Sequence, residues 1–286
     1  MSLPALLDGD QQREAINTRQ RFEAFRAAER AAAGYRGSMV FAETGGIDYL
    51  LRSFYDPATG RRRQKSLGRR SSETERIEME FRTGREAAKE RLATTRAALE
   101  RQAGVNRALG LGRVPDLAAR ILRALDAAGL LGGGLRVAGT HALYAYEAAA
   151  GVHFPSEVTT TEDIDLLLDS RSGLDFVAAR GLEDEGAERS LLGLLKRVDR
   201  SFERAGAAFR AINRDGYLVD LIAPLRDPPW RHGSAKAEAG DLEAVAIEGL
   251  VWLESAPAFE AVAIDARGYP VRIVTADPRA VAVHKL

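Results

Sequence analysis

Apolar and polar positions alternate with two different periods along this chain. Over residues 9–33, Ile16, Phe22, Phe25 and Ala28 recur at roughly helical spacing in an Ala-, Arg-, Glu- and Gln-rich stretch, which predicts an amphipathic helix stopped by Gly34 and Gly37. SMVFAETGGIDYLLRSFYD then brings β-branched and aromatic residues around Gly45-Gly46, and DPATG at 56–60 supplies a second turn. Two or three antiparallel strands are expected over residues 38–68. Ser71 or Ser72 opens a run of strong helix formers, with Ser72 and Glu75 matching a capping box, so a surface helix of about 30 residues should follow and pair with the first as a coiled-coil-like hairpin. GVNRALGLGRVP, residues 104–115, holds three glycines and a proline and marks the expected boundary between an N-terminal arm (1–104) and a second domain (105–286).

Beyond that boundary the pattern changes. DLAARILRALDAAGLL reads as a helix, LRVAG as a buried strand, THALYAYEAAAG as a helix opening straight after Gly139, and TTEDIDLLLD as another strand. A helix over about residues 173–204 and a hairpin, FRAINRDGYLVDLI with Asp215-Gly216 as its two-residue turn, complete the series. Helices alternating with short strands argue an α/β or α+β layer structure. TADPRAVAVHKL starts a helix at Asp277-Pro278 and reaches Leu286 with no stop signal, so the domain is expected to continue further.

The strand at 163–168 carries the chemistry. Successive strand side chains point to opposite faces, so Asp163 and Asp165 share one face while Ile164, Leu166 and Leu168 share the other. Two carboxylates side by side repel, and something positive belongs between them. The chain has no cysteine, which removes thiolate metal sites, disulfides and cysteine nucleophiles, and no histidine sits at ligand spacing nearby. An all-oxygen site then points to a hard cation, Mg²⁺ or Mn²⁺. In YLVDLI an aspartate again interrupts an apolar strand, and if the two strands are neighbours Asp220 completes a three-carboxylate cluster able to serve phosphoryl or nucleotidyl transfer. Gly139-Thr140, at a strand-to-helix turn, offers backbone N–H groups and a hydroxyl to a triphosphate, and His141 follows them.

Val137-Ala138-Gly139-Thr140, then Asp163-Ile164-Asp165, then Asp220 in a later strand, resemble the motif set of the DNA polymerase beta-like nucleotidyltransferase superfamily, and look most like its bacterial members akin to abortive-infection toxins. The resemblance covers about residues 117–286. It implies a nucleotidyltransferase-type mixed sheet with flanking helices, to which the N-terminal helix/β-hairpin/long-helix arm is added. It also implies transfer of a nucleoside monophosphate from an NTP to a hydroxyl, with release of pyrophosphate. Asp163 and Asp165 would bind both metals, Asp220 would bind the catalytic metal and help deprotonate the acceptor, and Gly139, Thr140 and, from a closing helix, Lys285 would hold the triphosphate. Two departures stand out: threonine replaces the commoner serine or glycine, and 22 residues separate Thr140 from Asp163, about double the usual gap.

The charge distribution adds one feature. Residues 52–70 hold seven basic residues against the single Asp56, and Arg61, Arg62, Arg63, Lys65, Arg69 and Arg70, near Phe54 and Tyr55, could track a phosphate backbone with aromatic stacking. RNA such as tRNA is therefore the favoured acceptor. No apolar run is long enough to span a membrane and no signal peptide is evident, so a cytoplasmic protein is expected. The competing reading is a non-catalytic nucleotide- or nucleic-acid-binding module with the same fold, such as one half of a toxin-antitoxin pair with an antitoxin as partner. Nothing in the sequence chooses the base of the NTP.

Overall fold

A computed structural model describes residues 3–55, 61–169, 190–225 and 241–284. In chain order the first elements are strand β1 (Ala5–Leu6), helix α1 (Gly9–Ala33), strands β2 (Ser38–Thr44), β3 (Ile47–Tyr55) and β4 (Arg62–Arg69), and helix α2 (Ser72–Ala108). Next come α3 (Asp116–Ala127), β5 (Leu135–Ala138), a 3-10 turn at Thr140–Ala142, α4 (Leu143–Ala150), β6 (Val152–His153), α5 (Ser156–Thr159) and β7 (Asp163–Leu168). The last are α6 (Leu191–Val198), β8 (Glu203–Arg204), β9 (Arg210–Ile212), β10 (Leu218–Pro224), β11 (Val245–Ile247), α7 (Leu250–Ser255), β12 (Ala258–Ile264), β13 (Pro270–Ala276) and α8 (Pro278–His284). No described helix is long and apolar enough to cross a membrane.

The described residues form two compact units, 16–102 and 3–15 with 103–284. Residues 3–15, expected in the N-terminal arm, group with residues 103–284: β1 pairs antiparallel with β6, and Gln11 donates to the Leu109 carbonyl at 2.9 Å.

In the smaller unit β2, β3 and β4 form an antiparallel sheet with a bulge at Leu50/Leu51. One face meets α2: the Arg52 guanidinium lies 4.6 Å from the Phe81 ring centroid and the Gly68 backbone faces the Thr74 methyl. Tyr35, just past α1, packs against Phe81 with the rings tilted and their centroids 5.4 Å apart. The helix start differs from the expected Ser72/Glu75 box. Ser71 and Thr74 cap each other reciprocally, Ser71 N to Thr74 Oγ1 at 2.9 Å and Thr74 N to Ser71 Oγ at 3.3 Å, while Glu75 turns to Arg70. The helix begins at Ser72, so Ser71 is its N-cap and Thr74, three residues on, takes the box position, leaving Glu75 to the neighbouring guanidinium.

The larger unit is a mixed α/β layer structure with an eight-stranded sheet in the order β12-β13-β5-β7-β10-β9-β8, β11 sharing the edge of β10. β7 and β10 run parallel, while β5 and β9 lie antiparallel outside them. Ile164, Leu166, Val219 and Leu221 point to one face and join the main core with Ile121, Leu122 and Leu125 of α3 and Leu191 and Leu195 of α6. Each such side chain contributes about 1.5–3 kcal/mol by leaving water. The opposite face is covered by a smaller cluster, Leu167 and Ile222 under Leu250 and Leu253 of α7.

Two expected elements change. The part of the 173–204 helix that is described ends at Val198, where Asp199 takes an extended conformation and accepts from the Ser201 N–H and hydroxyl, and β8 follows. The hairpin turn is not a two-residue Asp-Gly loop. Asn213 O accepts from Gly216 N and Asn213 N donates to Tyr217 O, so Arg214 and Asp215 are the central residues and Gly216 takes the left-handed position (φ 86°). The expected turn at 56–60 and Lys285 lie outside the described residues.

Candidate functional site

Period-two alternation puts Asp163 and Asp165 on the β7 face away from the main core, at the end of the strand that α7 does not cover. Both are partly exposed, whereas Ile164 and Leu166 between and beyond them are fully buried. The parallel pairing of β7 with β10 sets Asp220 directly opposite Asp165. β5 lies on the other side with Ala138 opposite Asp165, and β9 sets Arg210 opposite Asp220. Paired residues share a face, so Ala138, Asp165, Asp220 and Arg210 form one transverse row across four strands, with Asp163 one step back along β7.

Gly139 closes the site beside Ala138. Its backbone (φ 59°, ψ −149°) lies in a region open essentially only to glycine, and a Cβ there would overlap Asp165 Oδ2. The residue is exposed, so its main chain is accessible next to that carboxylate. Thr140 is half-buried at the start of the following 3-10 turn.

Asp220 is 6% exposed, and its carboxylate is held by Arg210 through two charge-assisted bonds, Nε to Oδ1 at 2.7 Å and Nη2 to Oδ2 at 2.5 Å. These bonds, with the added field of Asp163 and Asp165, raise the Arg210 pKa above its ordinary value. Sequence reading missed this arginine. The observed register pairs 212 with 218, 211 with 219 and 210 with 220, whereas counting outward from a two-residue Asp215-Gly216 turn would have set Ala211 opposite Asp220.

Behind Asp163 lies an aromatic support. The His141 ring is buried, its Nε2 3.4 Å from the Tyr217 hydroxyl, and it meets Tyr144 edge-on at 5.7 Å. Burial pushes its pKa down to about 4 against the pull of Asp163, so the ring is neutral at pH 7. It adjoins the Asp163 main chain, yet Nδ1 has no hydrogen-bond partner of good geometry. The His141 ring is thus enclosed beside Asp163 and has almost no solvent exposure. Burial and Asp163 likewise raise the Tyr217 phenol. Tyr144 donates to Thr159 O at 2.9 Å, fixing the segment that leads into β7, and the Thr161 hydroxyl donates to Asp163 Oδ1.

The long interval between Thr140 and Asp163 is filled by α4, β6 and α5. Gly151 (φ 66°) ends α4, and the buried Glu147 ties the loop through Arg113 at 2.9 Å and Phe154 N at 2.5 Å. It takes no ligand candidate out of the row.

Residues 116–286, which contain this whole row, match a family described as nucleotidyltransferase. The chain belongs to that nucleotidyltransferase family. No curated protein and no solved structure matches it. Membership in a nucleotidyltransferase family accords with a sheet that brings carboxylates from two neighbouring strands to one glycine turn.

Could these residues hold a divalent ion? Among the described residues no three carboxylate or imidazole groups form a ready cage. The donors are nevertheless all hard oxygens, and the cluster already carries a cation, the Arg210 guanidinium on Asp220. The three carboxylates call for positive charge, and Arg210 supplies it at Asp220. The carboxylate oxygens are the donor type that Mg²⁺ or Mn²⁺ takes, with both oxygens of Asp220 bonded to Arg210 in this arrangement.

The expected nucleic-acid residues separate in the smaller unit. Arg62 and Arg69 lie on the sheet face away from α2, and Arg63 and Lys65 on the face toward it. Arg70 is held by Glu75 at 2.7 Å and Asp48 at 3.2 Å and covers the Phe41 ring at 4.9 Å.

Proposed function

We propose that this nucleotidyltransferase moves a nucleoside monophosphate from an NTP to a hydroxyl acceptor, with RNA as the favoured acceptor class. The observation that carries the reading is the register of β7 against β10, which sets Asp220 beside Asp165 at the Gly139 turn. In the reaction the acceptor oxygen attacks the α-phosphorus, a new P–O bond forms, the α–β phosphoanhydride breaks, and pyrophosphate leaves with the electron pair. Asp163, Asp165 and Asp220 would hold Mg²⁺ or Mn²⁺, which when bound supplies positive charge to the attacking and leaving oxygens.

The chain's own residues do the remainder. Asp220 accepts the proton of the acceptor hydroxyl. The exposed Gly139 main chain lets the triphosphate come close to Asp165, and the Thr140 hydroxyl donates to it. Arg210, released from Asp220, stays within one strand spacing and meets the negative charge of the leaving pyrophosphate. Neutral His141, with Tyr217 and Tyr144 around it, holds Asp163 in place without adding charge.

The test is label transfer from α-³²P-labelled NTPs to total RNA with Mg²⁺. Asp163→Asn and Asp165→Asn, checked for folding by circular dichroism, should abolish transfer; labelling that persists in both would remove the mechanism. A second reading, nucleotide binding without turnover, is favoured by the grip of Arg210 on Asp220. It predicts saturable NTP binding with no label transferred to any acceptor.

A further inference from the structure

The open face of the β2-β3-β4 sheet has a composition unlike the rest of the arm. Alternation and register assign to it Tyr49, Leu51, the buried Ser53 and Tyr55 of β3, Val40 and Ala42 of β2, and Arg62, Gln64, Ser66 and Arg69 of β4. No aspartate or glutamate lies on that face of the three strands; Glu43 and Asp48 point to the other. Each tyrosine stands directly opposite an arginine, Tyr55 across from Arg62 and Tyr49 across from Arg69. Both arginines are exposed, Tyr55 is 39% exposed and Val40 51% exposed.

We infer that this face binds single-stranded RNA. A cationic, acid-free surface is complementary to a polyanion, and an aromatic ring beside each cation lets a base stack while its phosphate meets the guanidinium. The two Tyr–Arg pairs are six residues apart on β3, roughly 20 Å at about 3.4 Å per residue, which suits several unstacked nucleotides laid along the strand. A duplex hides its base faces and gains nothing from the tyrosines. Gln64 and Ser66, exposed between the two arginines on β4, offer hydrogen bonds to ribose or base edges. The inference deepens the proposed function by naming the surface that would recruit an RNA acceptor; its choice of RNA over DNA rests on that reading.

Fluorescence anisotropy with a labelled 15-nucleotide RNA, its DNA equivalent and an RNA duplex tests it on the full chain. The single strand should bind at least tenfold tighter than the duplex, and the RNA tighter than the DNA. Tyr49→Ala and Tyr55→Ala should each weaken binding at least fivefold. Arg62→Ala with Arg69→Ala should lower the log–log salt slope by about 1.4, close to 0.7 per phosphate contact on a single strand. Arg63→Ala with Lys65→Ala, on the opposite face, should change affinity less than threefold. Equal binding of duplex, a DNA preference, unchanged affinity in the tyrosine variants, or a larger loss from Arg63 and Lys65 would each overturn the inference. The Asp163→Asn, Asp165→Asn double variant keeps RNA binding if the surface is right, whatever becomes of catalysis, so failure of the surface and failure of the transfer reaction are read separately.

Discussion

Arg210 and Asp220 face each other across the β9–β10 hairpin, and the guanidinium takes both carboxylate oxygens, at 2.7 and 2.5 Å. A buried carboxylate to which the proposed function assigns a metal is thus already neutralised by a residue of its own chain. Coulombic balance then makes cation binding at Asp220 a competition with Arg210.

Arg210→Gln should expose that competition. With its partner gone, Asp220 is left charged beside Asp165, and metal-free stability should fall by about 2 kcal/mol, less than the 3–5 of a fully buried pair because Arg210 is 36% exposed. Mn²⁺ should bind about tenfold tighter than in the parent, and its addition should restore the lost melting temperature. Electron paramagnetic resonance titration of free Mn²⁺ and differential scanning fluorimetry read the two effects; weaker Mn²⁺ binding in the variant would mean that Arg210 helps build the site instead of competing for it.

Gly139→Ala places a methyl where Asp165 Oδ2 lies, on a backbone that alanine rarely adopts. Strain of about 1–3 kcal/mol is expected, together with displacement of Asp165. Chemical denaturation should show a loss in that range, and Mn²⁺ affinity should fall at least tenfold. A variant with parental affinity would separate the glycine from the carboxylate site.

His141 gives a pH dependence whose sign follows from its burial. Its folded pKa of about 4 lies below the ordinary 6.5, so between those values the unfolded chain binds a proton that the folded chain refuses. The associated stability is fully present above pH 6.5 and is lost as the pH falls toward 4, up to about 3 kcal/mol. The groups facing the ring are Asp163, which opposes the shift, and Tyr217 and Tyr144, which stay neutral throughout this range. Urea denaturation of the metal-free protein at pH 7, 5.5 and 4.5 should show the decline, and His141→Gln should flatten it by that amount.

How far the sequence could be read depends on the range of each interaction. The two-residue period set Asp163 and Asp165 on one face of β7 with no tertiary information, since strand geometry alone decides it. Glycines likewise marked the ends of α1 and α4, Gly34 following α1 and the left-handed Gly151 capping α4. Arg210 was hidden because its role arises only from cross-strand pairing, and one residue of error in the turn would have moved it to the other face. The same shift explains the turn itself: Asp215-Gly216 suggested a two-residue loop, but Asn213 uses its side chain on the Asp215 and Tyr217 N–H groups and widens the turn. His141 read as a helix-start residue near a phosphate, and its burial under Tyr217 is set by β10, more than seventy residues later in the chain.

Asp265 shows why an aspartate ending an apolar strand is not enough to mark a site. VAID in β12 and beyond resembles the run before Asp220, yet Asp265 is fully buried on Arg123 at 2.6 Å and accepts from the N–H groups of Arg267 and Tyr269 at 2.9 and 2.8 Å. It fixes the β12–β13 turn and faces no open surface. Asp265→Ala should therefore cost about 2 kcal/mol, because two backbone donors lose their acceptor while Arg123, 37% exposed, keeps the Tyr269 and Pro270 carbonyls, and the protein should bind Mn²⁺ with parental affinity. Asp165→Asn should do the reverse, changing stability by less than about 1 kcal/mol and removing Mn²⁺ binding. Measuring both quantities on both variants decides the assignment: a shared loss of Mn²⁺ affinity would make the second effect a consequence of unfolding, and the carboxylate row would lose its claim to be a site.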